Sequence, residues 1–269
     1  MEYFAGIDIG STSIKIAIVD GENRLVGQRV SASGSMFYKY ARESLDTLTE
    51  SLGIGKENLC YTVATGYGRK LFKEADENIS EITANAVGAK AAAGDFGPVR
   101  TVINIGGQDS KAIAMDSEGN VVNFAMNDRC AAGTGKFLDV VARNLEIGVD
   151  ELGEYHFRSD ATPLSINSTC AVFAESEIVG LLGNNHSVAD IVSGVHYSIA
   201  KRMIKLIKRV GINEAVYFDG GPALNAGLVN AIENELGFEI FVPEHPQITT
   251  ALGAATIARE SFRYEQQGA

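Results

Sequence analysis

An internal repeat constrains this chain more than any other feature of its sequence. When the chain is shifted by 96 positions, the segment GIDIGSTSIKIAIVDGE lies over VINIGGQDSKAIAMDSE. Asp8 then coincides with Asn104, and Lys15 coincides with Lys111. Both copies are typical of a strand, a glycine turn, a second strand, an acidic turn and a third strand. The duplication therefore predicts two similar lobes, each with a glycine turn directed into the cleft between them.

Strands and helices alternate along the rest of the chain, which is the pattern of an α/β protein. The predicted strands are 3–9, 13–20, 24–31, 59–65, 100–105, 110–116, 120–126, 215–219 and 239–242. The predicted helices are 37–52, 82–93, 134–146, 171–183, 187–210, 223–236 and 248–262. We expect a first lobe made of residues 1–97 and 248–269, and a second lobe made of residues 98–247.

Composition narrows the class of protein. Of the 269 residues, 45% are hydrophobic and 21% are charged, as expected for a globular protein with a substantial core. The net charge of −11 argues against nucleic-acid binding, and the one basic run, over residues 201–209, is interpreted as a solvated helix face. No apolar run reaches the roughly 18 residues of a membrane helix. The start, MEYFAGIDIG, lacks the features of a secretory signal, so the expected location is the cytoplasm.

The two glycine turns are candidates for phosphate binding. In the first glycine turn, Gly10–Ser13, small residues expose consecutive backbone N–H groups and the hydroxyls add further donors. The second glycine turn, Gly106–Gln108, offers similar groups in the other copy. Either turn alone could be an ordinary hairpin turn. As a pair, each preceded by a polar residue in an apolar strand, they favour a phosphate clamp.

Two further features fit a nucleotide. Asp8 interrupts an apolar strand, so its burial would need a partner, and Mg²⁺ held beside nucleotide phosphates would supply one. The segment Phe218–Pro222 follows a strand and precedes a helix, where its glycines would let the backbone approach a base or ribose. A plain strand-to-helix turn is the alternative there.

The cysteines suggest a shared metal centre. Cys60 lies in the strand-like LCYTVAT and is expected to be structural, which leaves Cys130 and Cys170, each just before a predicted helix. Two thiolates cannot complete a four-cysteine site in one chain, whereas a two-fold pair of chains supplies four. The amides at both helix starts could then face an anionic cluster. Two buried structural cysteines, or zinc in the same four-thiolate site, are the alternatives.

These residues together resemble the activator ATPases of 2-hydroxyacyl-CoA dehydratases. That family also includes the ATPase components of benzoyl-CoA-type reductases and the reductases of double-cubane-cluster proteins. The similarity covers nearly the whole chain, through GIDIGSTSIK, TGYGR, IGGQDSK, MNDRCAAGTGKFLDV, STCAVFAESE and QITTALGAA. The cysteine segments are highly specific, while the glycine turns alone indicate only the wider superfamily of actin, sugar and acetate kinases and heat-shock chaperones. The resemblance implies an α/β, duplicated actin-like ATPase fold with two lobes around a nucleotide cleft.

The resemblance also assigns expected roles to residues that match the family. Cys130 and Cys170 match the two ligands that each protomer gives to one [4Fe-4S] cluster on the dimer axis. Asp8, Asn104 and Gln108 are the candidate catalytic residues. The expected ATP contacts are Ser11, Thr12, Ser13, Ile14, Lys15, Gly106, Gly107, Gly220, Gly221, Pro222 and Gln247, although proline at 222 is unusual for the family.

One position departs from the family pattern. The second glycine turn usually reads DIGGQD, whereas this chain has Asn104. A carboxylate there could hold Mg²⁺ or help to activate the attacking water, but an amide is a poor base. Asn104 therefore predicts slow hydrolysis with ATP binding retained, unless its carbonyl oxygen still orients water or metal. Asp109 is a candidate substitute, although strand alternation could direct it elsewhere.

The function implied by the resemblance is ATP-dependent reductive activation. A ferredoxin or flavodoxin would reduce the cluster, ATP binding or hydrolysis would close the lobes, and one electron would pass to a partner iron–sulfur protein. That acceptor would be a dehydratase or a double-cubane-cluster protein; neither nucleic acid nor membrane is an expected partner. The alternatives are a small-molecule kinase of the same fold and an actin-like or chaperone-like interaction protein. None of the four histidines has a spacing that nominates a kinase base.

Overall fold

The computed structural model of the chain describes residues 1–127, 132–166, 171–213 and 215–268. Its strands are β1 (Tyr3–Ile9), β2 (Ser13–Asp20), β3 (Leu25–Ala32), β4 (Leu59–Thr65), β5 (Glu77–Asn78), β6 (Thr101–Ile105), β7 (Ser110–Met115), β8 (Val121–Asn127) and β9 (Val216–Asp219). Its helices are α1 (Phe37–Ser51), α2 (Glu81–Ala92), α3 (Gly135–Asn144), α4 (Leu152–Phe157), α5 (Ala171–Gly183), α6 (Val188–Val210), α7 (Ala226–Leu236) and α8 (Thr249–Gly268). Within these ranges, no helix is both long and apolar enough to cross a membrane.

The chain divides into two compact units. Unit 1 comprises Met1–Val99, Met115–Val121 and Pro243–Ala269, and unit 2 comprises Arg100–Ala114 and Val122–Val242.

The sheet of unit 1 has the strand order β3-β2-β1-β4-β5. The first three strands form an antiparallel meander, and β4 and β5 continue the sheet in parallel with β1. Alternate side chains of β1 serve opposite faces, as the two-residue period of a strand requires. Ile7 and Ile9 pack in the cluster that includes Leu45 and Leu48 of α1, whereas Phe4 packs in the cluster formed with α8.

Helices α2 and α8 approach each other, and α8 approaches the sheet, without intervening side chains. A Cβ added at Gly253 of α8 would overlap the carbonyl oxygen of Ala84 in α2. A Cβ at Gly88 would overlap the carbonyl oxygen of Thr249, and one at Gly6 of β1 would overlap that of Ala251. Glycine is required at these positions because backbone lies against backbone.

Unit 2 has a four-stranded sheet in the order β8-β7-β6-β9. Strands β6 and β7 are antiparallel, while β9 runs parallel to β6. One core contains side chains of β6 and β9 together with those of α3, α4, α5, α6 and α7. The long helix α6 is bounded by local signals, since the Ser187 side chain accepts the Asp190 amide at its start and Gly211 follows its last residue.

Several elements differ from the sequence-based prediction. The predicted strand 239–242 is reduced to one bridge between Phe241 and Tyr217. Helix α7 begins at Ala226 instead of 223, because a 3₁₀ turn over Gly221–Leu224 precedes it and Asn225 caps it by accepting the Leu228 amide. Strand β5 and helix α4 were not predicted, since each is too short to show a period.

Candidate functional site

Asp8 and Lys15 form a partly buried ion pair at the end of the first hairpin of unit 1. The β1–β2 register places them directly opposite each other, and Lys15 Nζ lies 3.1 Å from Asp8 Oδ2. Asp8 is 7% exposed, so its charge depends on this partner. Lysine, and not only a metal ion, therefore supplies the partner that the buried carboxylate requires.

The first glycine turn connects these two strands. The Gly10 amide donates to the Ser13 carbonyl at 3.0 Å, and the Ser33 hydroxyl donates to the Gly10 carbonyl at 2.6 Å. Thr12 Oγ1 is buried and has no hydrogen-bond partner among the described residues. The side chain of Ile14 lies in the apolar core, so only its backbone remains to meet a ligand. Hydrogen bonds thus fix the conformation of the turn, and the buried hydroxyl of Thr12 remains available to a ligand.

Gly66, directly after β4, borders the same site. Its φ of +83° lies in the left-handed region, and a Cβ there would overlap Asp8 Oδ1. Gly66 belongs to the TGYGR segment, which contributes to the family resemblance but did not by itself predict a place in the site. Gln247, a predicted ATP contact, is half-buried in a 3₁₀ turn just before α8.

In unit 2, Asn104 is the centre of a buried polar cluster. The β6–β7 register places it opposite Lys111, whose Nζ donates to Asn104 Oδ1 at 3.3 Å and to Asp109 Oδ2 at 2.8 Å. Asn104 Nδ2 donates to Asp219 Oδ1 at 2.5 Å. Asp219 is fully buried at the end of β9. Asn104 thus donates to the carboxylate of Asp219, whereas Asp109, the substitute suggested by the sequence, accepts from Lys111.

The second glycine turn is bonded to the start of α3. The amides of Gly135 and Lys136 donate to the carbonyls of Gly106 and Gly107, each at 2.9 Å. Ser110 Oγ donates to the Gly133 carbonyl at 3.0 Å. The expectation that the first amides of this helix face a cluster is therefore wrong for these two amides, because the turn uses them. Gln108, at the tip of the turn, is exposed.

The turn after β9 carries the predicted nucleoside contacts. Gly220 has φ +94°, and a Cβ there would overlap the Ile105 carbonyl. Gly221 is half-buried and Pro222 is buried at the start of the 3₁₀ turn. The close approach of backbone at Gly220 explains why glycine is needed at this position.

A chain of side-chain hydrogen bonds that was not predicted from the sequence lies behind this turn. Because Asn225 Oδ1 accepts the Leu228 amide, its Nδ2 faces His196 Nε2 at 3.0 Å. His196 Nε2 is then an acceptor, so its Nδ1 donates to His156 Nδ1 at 3.2 Å. His156 Nε2 in turn donates to Asn230 Oδ1 at 3.3 Å. The geometry thus fixes one tautomer for each histidine.

Both histidines are neutral in this arrangement. Burial, with a smaller contribution from the neighbouring His156, lowers the pKa of His196 to about 3. Burial also lowers the pKa of His156, although its hydrogen bond with Asn230 opposes that shift. A second proton on either ring would set two donors against each other, which agrees with the lowered pKa values.

Cys130 and Cys170, the predicted cluster ligands, lie outside the described residues. Over the residues that are described, no group of three or more His, Cys, Asp or Glu side chains could hold a metal ion. Cys60 is half-buried in β4, with its Sγ 3.5 Å from the Asn58 carbonyl.

Comparisons with known proteins place this geometry in a family. The model of the BadF/BadG/BcrA/BcrD ATPase family matches residues 5–258. The activator of lactoyl-CoA dehydratase from Anaerotignum propionicum is 45% identical over 260 residues, covering 96% of this chain and 98% of the relative. The solved activator of the 2-hydroxyisocaproyl-CoA dehydratase from Clostridium difficile, with bound ADPNP, is 42% identical, with a TM-score of 0.92 over 99% of this chain and 98% of that one.

A more distant structure bears on the fold alone. A ROK family glucokinase from Streptomyces griseus superposes with a TM-score of 0.63 at 12% identity, covering 96% of this chain and 99% of that one. The predicted actin-like ATPase and sugar-kinase fold is therefore confirmed. The family resemblance predicted from the sequence is confirmed as well: the chain belongs to the BadF/BadG/BcrA/BcrD ATPase family.

Proposed function

We propose that this chain is an ATP-dependent reductive activator. Two protomers share one [4Fe-4S] cluster and deliver single electrons to a partner iron–sulfur protein. The names of two relatives, activators of lactoyl-CoA and 2-hydroxyisocaproyl-CoA dehydratases, support a 2-hydroxyacyl-CoA dehydratase as the acceptor. A double-cubane-cluster protein is the second acceptor class, and a ferredoxin or flavodoxin is the proposed donor.

The attachment of α3 to the second glycine turn is the observation that carries this proposal. The amides of Gly135 and Lys136 are held by the turn, and Gly133 is held by Ser110. Cys130 precedes Gly133 by three positions in the sequence. If the second glycine turn moves when ATP is replaced by ADP, it would therefore displace the backbone next to Cys130, the proposed cluster ligand. This is the coupling that an ATP-driven electron donor requires.

The residues of both glycine turns fit a nucleotide with Mg²⁺. The buried hydroxyl of Thr12 can donate to a phosphate oxygen, which would satisfy it. Asp8 offers a carboxylate beside the same turn, suited to a Mg²⁺ ion that retains most of its water. The proposed ATP contacts are Ser11, Thr12, Ser13, Ile14, Lys15, Gly106, Gly107, Gly220, Gly221, Pro222 and Gln247. Asp8, Asn104 and Gln108 are proposed to orient the metal and the attacking water.

Cys130 and Cys170 are the proposed cluster ligands, two from each protomer. A bound cluster supplies one-electron transfer, and each additional ~59 mV of reducing power requires ~1.4 kcal/mol. The chain contributes two helix starts close to these cysteines in sequence, since α5 begins at Ala171 and α3 at Gly135. The positive end of a helix dipole stabilises nearby anionic thiolates.

Anaerobic purification of three cysteine variants tests the proposal. Wild-type protein should be a dimer with about four iron and four sulfide per pair of chains. Cys130→Ala and Cys170→Ala should lose the iron but still bind ATP, whereas Cys60→Ala, in β4, should keep both properties. A cluster retained in Cys170→Ala would contradict the ligand assignment. Colourless, iron-free wild-type protein that phosphorylates a small molecule would favour the kinase instead.

A further inference from the structure

The two sheets carry their carboxylates on different strands. In unit 1, Asp8 of β1 lies opposite Lys15 and beside Thr65 of the parallel strand β4. In unit 2, Asn104 of β6 lies opposite Lys111 and beside Asp219 of the parallel strand β9. The registers are equivalent, and a left-handed glycine follows the parallel strand in each unit, Gly66 and Gly220. Unit 2 thus has an amide where unit 1 has a carboxylate, and a carboxylate where unit 1 has threonine.

The contacts within unit 2 fix the orientation of the Asn104 amide. Its Nδ2 donates to Asp219 and its Oδ1 accepts from Lys111. The reverse orientation would set the amide oxygen against a carboxylate and the amide nitrogen against an ammonium group. Asn104 is therefore held between two charges of opposite sign, and its carbonyl oxygen faces Lys111, the lysine equivalent to the one that Asp8 meets in unit 1.

Packing within the strand does not by itself explain why the buried residue at position 219 is acidic. Asp219 is 0% exposed, whereas Asn104 retains 8% of its surface. A fully buried carboxylate is costly to desolvate, and unit 1 fills the same register position with threonine. The Asp219 carboxylate accepts the Asn104 amide and adds a negative charge to the cluster that contains Lys111.

We infer that Asp219 is a positioning residue that replaces the carboxylate missing at position 104. It holds the Asn104 carbonyl oxygen in the one orientation that can order a Mg²⁺-bound or attacking water beside the second glycine turn. The inference rests on the proposed ATPase function. It also reverses the expectation from the sequence alone, because hydrolysis does not have to be slow when the lost negative charge is restored from β9.

Exchange of the two side chains provides the test. Asp219→Thr should lower kcat for Mg²⁺-dependent ATP hydrolysis about 100-fold while KM changes less than about 3-fold, since the loss falls on the transition state. Asn104→Asp combined with Asp219→Thr rebuilds the Asp8–Thr65 pair of unit 1 in unit 2. This double variant should recover kcat to within about 5-fold of wild type, which a mere packing role would not predict. Thr65→Ser is the matched control at the equivalent position of unit 1 and should leave kcat unchanged.

Further controls separate a loss of catalysis from a loss of folding. All rates are measured below the unfolding midpoint of every variant. Asp219→Asn, which keeps the shape of the side chain, serves as the second single variant. Calorimetry then measures the ATP affinity with and without Mg²⁺. In Asp219→Asn, the factor by which Mg²⁺ raises the ATP affinity should fall about 5-fold, while the affinity without Mg²⁺ should be unchanged.

The outcomes separate the two proposals. If Asp219→Thr and Asp219→Asn both keep wild-type kcat and Mg²⁺ dependence, the inference is wrong while the ATPase stands. If the double variant is no better than Asp219→Thr, the exchange of roles is refuted. Folded wild-type protein without ATP hydrolysis would overturn the proposed function itself and the inference with it.

Discussion

Lys15 lies opposite Asp8 in the first hairpin with its Nζ 3.1 Å from the carboxylate, and Lys111 holds the same register position opposite Asn104. The sequence repeat is therefore a repeat of side-chain pairing and not only of strand order. In the first copy the pair is an ion pair, whereas in the second an amide replaces the acid. This difference gives the two copies distinct chemistry at equivalent places.

Replacing the acid of the first pair tests its proposed role in hydrolysis. Asp8→Asn should reduce Mg²⁺-dependent ATP hydrolysis about 100-fold, because a preorganised charge is lost at the phosphates. The matched control is Asp20→Asn, a buried carboxylate of the same hairpin that pairs with Arg24 at 2.8 Å. That change should lower the free energy of unfolding yet leave the rate per folded molecule intact. Equal loss of rate in both variants would contradict a specific role for Asp8.

The unpartnered hydroxyl of Thr12 predicts opposite effects on stability and on binding. Thr12→Val removes a buried polar atom without a partner, so the free energy of unfolding of the nucleotide-free protein should stay level or rise by about 1 kcal/mol. ATP affinity should fall about 10-fold if this hydroxyl donates to a phosphate. Calorimetry and urea unfolding check both values.

Thr101→Val is the control for this prediction. Thr101 Oγ1 donates to the Asn213 carbonyl at 3.0 Å, so its removal should destabilise the protein and leave ATP affinity unchanged. Thr12→Val that weakens the fold as much as Thr101→Val would show that Thr12 has a structural partner.

The His196–His156 pair predicts that the free energy of unfolding decreases at low pH. The pKa of His196 is lowered to about 3 in the folded protein, against about 6.5 in the unfolded chain. The unfolded state therefore binds more protons below pH 6.5, and stability is lost as the pH falls from about 6.5 towards 3. The slope for this group reaches about 1.4 kcal/mol per pH unit.

Urea unfolding across this pH range checks the slope. His196→Leu should be less stable at pH 7, because the bonded network is broken, but should show a flatter pH dependence. His245→Gln, at a surface position, should follow the wild-type curve. An unchanged slope in His196→Leu would refute the assignment.

Two glycines have similar backbone angles but different surroundings, so a comparison of their alanine variants distinguishes steric overlap from backbone strain. Gly220 (φ +94°) lies against the Ile105 carbonyl, whereas Gly237 (φ +83°), which caps α7, has open space around it. Gly237→Ala should cost about 1 kcal/mol for the left-handed conformation alone. Gly220→Ala should cost at least about 2 kcal/mol more, because backbone must move. Similar unfolding free energies for the two variants would contradict the close approach at Gly220.

Much of the fold could be predicted from local signals. Strands β1, β2 and β4 and helix α5 have the bounds that the sequence predicted, since apolar patterning and turn residues mark their ends. The strand predicted at 239–242 is wrong, because this segment forms only the Tyr217–Phe241 bridge and not a continuous ladder of backbone hydrogen bonds. Short apolar runs do not by themselves specify strand pairing.

The side-chain partners in the site could not be predicted in the same way. Asp8 was expected to need a partner, and Mg²⁺ was the one suggested, because its pairing with Lys15 depends on the hairpin register. Asp219 is 115 positions from Asn104 and meets it only through the parallel β6–β9 pairing. His156 and His196 are 40 positions apart on different helices. A periodic pattern carries no signal for contacts of this kind.

The glycine-lined packing of α8 has a consequence for biosynthesis. The sheet of unit 1 forms from the first hundred residues, but the helix that covers the face bearing Phe4 and Val63 is encoded after all of unit 2. Until α8 packs against Gly6 and Gly88, that apolar face lacks its native cover while the ribosome translates more than half of the chain. The nascent protein must therefore keep a half-built domain from aggregating until its final helix emerges.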